Sequence, residues 1–303
     1  MATAILCPGQ GSQFVGMGAD LVEMDAAAPI YEQADEILGW SVRDLSFNGP
    51  AELLNDTRYT QPALYVHSFA AGTIVAKAGV GFDYAAGHSL GEYSALALAG
   101  ALSFGDGLRL VQQRAQAMAE AAATHSGTMA AVIGLDEEAV SEALEDIDGV
   151  VAANVNAPDQ IVISGTREAV QIASERLSEQ GAKRVVPLAV SGAFHSPLMA
   201  SAAEQLRAAI ANTDIQKSRV PVIANVTAQP TTDPSEIRDL LVRQLTAPVL
   251  WTASVRTLVD LGVTLAYEVG PGKVLQGLVR RIDRAIQVVS AGTAAELGAL
   301  RKE

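Results

Sequence analysis

Residues 3 to 7, TAILC, form an apolar run too short for a helix and closed by a Pro-Gly turn, the pattern of a short strand buried on both faces. The Gly-rich turn PGQGSQ follows, and a helical region then extends to about Leu38. Helical segments are predicted around 50 to 55, from Gln61 to Ala78, over 90 to 99 and over 104 to 123. Between Ala78 and residue 90, FDYAAGHS reads as a strand that runs directly into a Gly87-x-Ser89-x-Gly91 turn. Strands that alternate with helices in this way predict an α/β domain with a mostly parallel sheet flanked by helices.

The pattern changes between about Thr128 and Val190. Strand TMAAVIGL, helix EEAVSEALEDI, strands VVAANV and QIVISG, helix REAVQIASERLSEQ and strand RVVPLAV follow one another, a βαββαβ order that predicts a ferredoxin-like unit. Beyond it, helix 197 to 211, strand VPVIANV, helices Ser235–Leu245 and 252 to 261, strand TLAYEVG, and a helix and strand near 272 to 289 resume the first pattern. The expected division is a large α/β domain from 1–126 and 191–303, interrupted by a small subdomain at 127–190.

Composition narrows the setting. Of 303 residues, 49% are hydrophobic and 18% charged, with the excess in alanine, and no uncharged apolar run approaches the roughly 18 residues of a membrane span. MATAILCPGQGS lacks the basic start and long apolar core of a signal peptide, so a cytoplasmic protein is expected. The one cysteine, Cys7, has no internal partner and sits where a strand ends, which favours a packing role. A net charge of −13 argues against a nucleic-acid partner, so an anionic substrate needs a locally placed cation. After Gly9-x-Gly11 the third glycine of a dinucleotide turn is replaced by Phe14, which argues against that ligand.

A strand leading into Gly-His-Ser-Leu-Gly and then a helix is the context in which a serine becomes an exposed nucleophile. The competing reading is a helix cap, with Ser89 and Glu92 closing a capping box. A nucleophilic serine needs a base, and the chain has four histidines. His88 adjoins Ser89 and its side chain diverges from it; His67 lies in an apolar helix; His125 ends one. His195, in VSGAFHSPLM where the small subdomain rejoins the main sheet, is the candidate base. An acyl-transfer oxyanion needs preorganised donors. The Leu90 N–H supplies one, and the Gln10 N–H can supply a second, unless PGQGSQ is an ordinary glycine turn. At about 100° per residue Arg114 shares a helix face with Leu110, Val111, Met118 and Ala121. A guanidinium on an apolar face requires either an internal carboxylate or an anionic ligand.

In order and spacing, PGQGSQ, TQPAL, GHSLGEYSAL, QQRAQAM, NVNAPDQIVISG, GAFHSPLM, RQLTAPVLWT and EVGPGKVL resemble the malonyl-CoA:acyl carrier protein transacylase family. The resemblance implies that Ser89 is acylated, that His195 is its base and that the Gln10 and Leu90 N–H groups form the oxyanion hole. It implies that Arg114 grips the free malonyl carboxylate and that the Gln244 main-chain carbonyl orients the histidine. It further implies that Asn156 lines the cleft and that Phe194 disfavours branched acyl chains. The partners it implies are malonyl-CoA and acyl carrier protein, with no metal or other cofactor. Two rivals remain from the residues themselves: a serine esterase or thioesterase with water as acceptor, and a carrier-binding module without chemistry. Lys183 with Arg184, and Lys273 with Arg280, Arg281 and Arg284, are candidate docking cations for an acidic carrier, or solvated faces without a partner.

Overall fold

The computed structural model describes residues 2–300. Its strands are β1 (Ala2–Cys7), β2 (Tyr84–Gly87), β3 (Gly127–Ile133), β4 (Val150–Ala157), β5 (Gln160–Thr166), β6 (Arg184–Pro187), β7 (Val222–Ile223), β8 (Pro230–Thr231), β9 (Val263–Glu268) and β10 (Gln287–Ser290). Six of them form a sheet in the order β10-β9-β1-β2-β7-β8, parallel except for the last pair. The apolar run at the start of the chain occupies the middle of this sheet, where both faces must be apolar. Ile5 and Cys7 point into the larger core, whereas Ala4 and Leu6 point to the opposite face and pack with Trp251, Val255, Leu258 and Leu275. Cys7 is fully buried, and burial pushes its thiol well above the usual range, which gives it the packing role expected of it.

The remaining four strands form an antiparallel sheet in the order β4-β5-β3-β6, the ferredoxin-like arrangement. Period-two alternation divides it between two cores. Val132, Ile161 and Ile163 pack beneath the Glu137–Leu144 and Arg167–Glu179 helices. Met129, Ala131 and Val162 face the large core. β4 is also hydrogen-bonded to the segment that follows residue 244: Val155 N donates to Val249 O at 2.9 Å and Val249 N to Ala153 O at 2.9 Å. Arg281, on the Val274–Ile282 helix, pairs with Asp159 in the β4–β5 turn, a second tie between the small sheet and the rest of the chain.

Several expected boundaries move. Residues 8 to 27 are turns and the helix begins at Ala28, because Gly16 and Gly18 adopt positive φ. The helix expected from Gln61 begins at Thr57, capped by Asp56, and carries Pro62 in its interior. A helix at Val42–Asn48, capped by Ser41, was too short to give a periodic signal. RVVPLAV is extended only over Arg184–Pro187, and VPVIANV only over Val222–Ile223. Among the described residues no helix is long and apolar enough to cross a membrane.

β1 and the turn after β2 approach so closely that side chains are excluded. A Cβ on Gly91 would lie 2.0 Å from Cys7 O and 2.8 Å from Cys7 C, both backbone atoms that cannot swing away. Gly91→Ala is therefore expected to destabilise the protein by about 3 kcal/mol, the upper part of the overpacking range, measurable by urea denaturation. An unchanged midpoint would show that the two segments separate easily.

Candidate active site

The serine turn is built by interlocking glycines. β2 delivers the chain to Gly87, His88 N donates to Cys7 O at 3.0 Å, and a Cβ on Gly9 would lie 2.3 Å from His88 O. PGQGSQ is thus held against GHSLG by backbone contact, and its glycine is needed for the approach. Ser89 adopts a φ of 52°, one of only three non-glycine residues with positive φ among those described; His195, at 56°, is another. Such conformations cost on the order of 1–3 kcal/mol and persist only where neighbours enforce them. Asn225 does so at Ser89: its Oδ1 accepts from Ser89 N at 2.7 Å, and its Nδ2 donates to Gly87 O at 2.6 Å.

Ser89 Oγ lies 2.8 Å from His195 Nε2, and His195 Nδ1 lies 2.8 Å from Gln244 O. A carbonyl can only accept, so Nδ1 carries the proton and Nε2 is left to receive the serine's. Burial, reinforced by the Arg114 charge, pushes His195 down to about 3, which keeps the imidazole neutral. The orienting acceptor is a backbone carbonyl at the end of the Pro234–Arg243 helix, and no carboxylate among the described residues bonds the imidazole.

Arg114 is 1% exposed, on the inner face of the Phe104–Thr124 helix. Its Nη1 donates to Gln61 Oε1 at 2.7 Å, and its Nη2 to Gln244 Oε1 and Ser89 Oγ, both at 3.0 Å. Its Cζ sits 5.4 Å from the centre of the Tyr93 ring. No carboxylate among the described residues forms an ion pair with it, and its Nε has no acceptor there. Burial lowers its pKa, partly opposed by the nearby Glu92 charge, but a guanidinium starts from so high a value that it stays protonated. Of the two alternatives open to a buried arginine, the internal ion pair is absent.

A cavity of about 110 Å³ opens over these atoms, with Gln10, Leu90, Asn154 and Phe194 in its wall beside Ser89, His195 and Arg114. The N–H groups of Gln10 and Leu90 donate to no acceptor among the described residues. Asn156, expected in the cleft wall, is turned away: its Oδ1 is 2.7 Å from His88 Nε2, and the wall position on β4 belongs to Asn154, two residues earlier on the strand. His88 rests 5.6 Å from the Trp251 ring and does not contact Ser89 Oγ. His67 bonds Gly292 O at 2.9 Å inside the core.

The capping box does not form. The helix after the serine is capped by Leu90 without any side-chain bond, and Glu92, 3% exposed, turns inward. Its Oε2 accepts from Gln244 Nε2 at 2.6 Å and from Asn225 N at 3.2 Å. Burial pushes its carboxyl up to about 7 against these donors and the Arg114 charge. Gln61, Asn225 and the Gln244 side chain were not anticipated as site residues. Asn225 alone had a signal, a lone amide in the apolar stretch VIANV; Gln61 and Gln244 sit beside other polar residues and had none.

An acyl transferase domain model matches residues 5–303. The malonyl CoA-acyl carrier protein transacylase of Bacillus subtilis is 46% identical over 292 residues, 95% of this chain and 92% of that protein. The chain belongs to the malonyl-CoA:acyl carrier protein transacylase family. An acyl-carrier-protein S-malonyltransferase from Burkholderia pseudomallei superposes with a TM-score of 0.97 at 40% identity, covering all of both chains. A malonyl-transacylase solved in complex with a type II PKS acyl-carrier protein superposes with a TM-score of 0.96 at 38% identity, covering 100% of this chain and 99% of that one.

Asn225→Ala removes the acceptor of the Ser89 N–H and one restraint on its φ. It is expected to lower stability by roughly 2 kcal/mol, the cost of an unpaired buried donor, and to slow acylation of Ser89 at least about tenfold. Urea denaturation and a stopped-flow acylation burst measure the two effects. A burst at the original rate would show that the turn holds without Asn225.

Proposed function

We propose that this chain transfers the malonyl group of malonyl-CoA to the phosphopantetheine thiol of acyl carrier protein through a malonyl-Ser89 intermediate, in the cytoplasm, for fatty acid or polyketide synthesis. The observation that carries this reading is the buried Arg114 guanidinium beside Ser89 Oγ, whose hydrogen-bond acceptors among the described residues are all neutral oxygens. A planar fork in an apolar wall matches a substrate carboxylate and penalises an uncharged acyl chain.

In the first half-reaction His195 Nε2 takes the Ser89 proton as Oγ attacks the thioester carbonyl. The oxyanion is received by the N–H groups of Gln10 and Leu90, each such donor being worth about 100 to 1,000-fold in rate. When the tetrahedral intermediate collapses, the C–S bond breaks and His195 returns its proton to the departing CoA thiolate. In the second half-reaction His195 takes the proton of the carrier thiol, whose sulfur attacks the Ser89 ester. The C–O bond breaks and Oγ regains its proton. One thioester is exchanged for another of similar energy, so the reaction calls for no redox or metal group. Phe194 in the wall fits a limit on branching at the acyl α-carbon. The large domain, 1–126 with 191–303, carries Ser89, His195 and Arg114 in this proposal, and the small subdomain, 127–190, closes one side of the cavity.

Docking of an acidic carrier on a chain of net charge −13 requires a local basic surface. Lys273, Arg280 and Arg284 line one groove. Lys273 is shared with Glu296 at 3.3 Å and Arg281 is committed to Asp159, which leaves Arg280 and Arg284 as the better candidates there, alongside Lys183 and Arg184.

Intact-protein mass spectrometry after mixing with malonyl-CoA, then with carrier protein, tests the reading. The expected result is a malonyl adduct on Ser89 that persists in buffer and is discharged when the carrier arrives. Steady release of free malonate without carrier would make the protein a thioesterase, and the lack of any adduct would make it a binding module.

A further inference from the structure

Gln244 bonds to Arg114, His195 and Ser89 together. Its backbone oxygen faces His195 Nδ1, its Oε1 accepts from Arg114, and its Nε2 donates to both Ser89 O at 3.1 Å and Glu92 Oε2 at 2.6 Å. A side-chain amide can present its oxygen and nitrogen either way round. Here only one orientation is compatible with the neighbours. A flip would set Oε1 against Glu92 Oε2 and Ser89 O, acceptor against acceptor, and Nε2 against the Arg114 N–H groups, donor against donor. Of the two acceptors that fix the nitrogen side, Glu92 makes the shorter bond, and because the same oxygen also accepts from Asn225 N it can serve as acceptor whether or not the carboxyl carries a proton.

We propose that Glu92 is a positioning residue for acyl selectivity: by holding the Gln244 amide with its oxygen toward Arg114, it sets the guanidinium where a malonyl carboxylate meets it. Glu92 contacts neither Arg114 nor Ser89 Oγ and acts through Gln244. On the opposite side Gln61 Oε1 supplies the second amide acceptor, but among the described residues its own nitrogen is anchored only to Met118 Sδ at 3.4 Å, a weak acceptor. Gln61 cannot therefore hold Arg114 alone. Because both N–H donors reach the same Glu92 oxygen, a glutamine there can keep both bonds with its carbonyl oxygen.

The inference rests on the transferase reading, and the two fail differently. The measurement is the ratio of Ser89 acylation rates with malonyl-CoA and acetyl-CoA. Glu92→Ala and Glu92→Met, the second similar in length but without an acceptor, are expected to lower the malonyl-to-acetyl ratio at least about tenfold, the loss expected when a charge-assisted contact is misplaced. Glu92→Gln is expected to restore the ratio to within about threefold, a difference under 1 kcal/mol. In a Gln244→Ala background, Glu92→Ala should produce no further change, since the coupling runs through the missing amide. Equal slowing of both acyl groups, or an undiminished Glu92 effect without Gln244, would overturn the inference and leave the transferase reading intact. Wild-type protein that takes no malonyl group on Ser89 would instead overturn that reading. Should Glu92→Ala fail to fold, Glu92→Met and Glu92→Gln still decide the outcome.

Discussion

The site depends on keeping one positive charge where water cannot reach it. Removing a guanidinium from solvent costs several kcal/mol, and an ordinary protein recovers that cost with a carboxylate in direct contact. Here Arg114 has glutamine oxygens, a serine oxygen and an aromatic face instead. The nearest stage of compensation is Glu92, one amide away. A directly paired arginine would be content without substrate; this one remains short of an anion and is therefore suited to recognise a carboxylate.

The rest of the architecture serves that constraint. The parallel sheet brings β1 and β2 side by side, so that PGQGSQ and GHSLG end at the same edge and Gln10 and Leu90 line one cavity from two sides. The small sheet reaches the site through backbone: β4 is hydrogen-bonded around Val249, a few residues after Gln244. The segment carrying the histidine's acceptor is thus pinned to β4, with Asn154 in the cavity wall and Asn156 on His88. Strain at Ser89 is tolerated because Asn225 and Gln244 bind its backbone N–H and carbonyl, and Glu92 in turn holds both of them.

The legible part of the sequence was what periodicity and short range dictate. TAILC read as a buried strand because both its faces are apolar, and the βαββαβ unit read from its alternation. Arg114 stood out because a charge on an apolar helix face is rare. Asn156 bonds His88 while Asn154 lines the cavity, because the register of β4 is interrupted between Val155 and Ala157 and simple alternation does not hold there. Glu92 was misleading: three residues after a serine at a helix start, it has the spacing of a cap, and only the arrival of Gln244 and Asn225 from over 130 residues away turns it inward. Networks assembled from distant segments leave little local trace.

In the proposed mechanism Arg114 pairs with the free carboxylate of the acyl group. Malonyl-CoA labelled with carbon-13 at that carboxyl can be loaded on Ser89 and its chemical shift followed against pH. Contact with the guanidinium predicts a titration at least about one pH unit below that of the same carboxyl in free malonyl-CoA. Coincident titration curves would show that Arg114 and the acyl carboxylate do not pair.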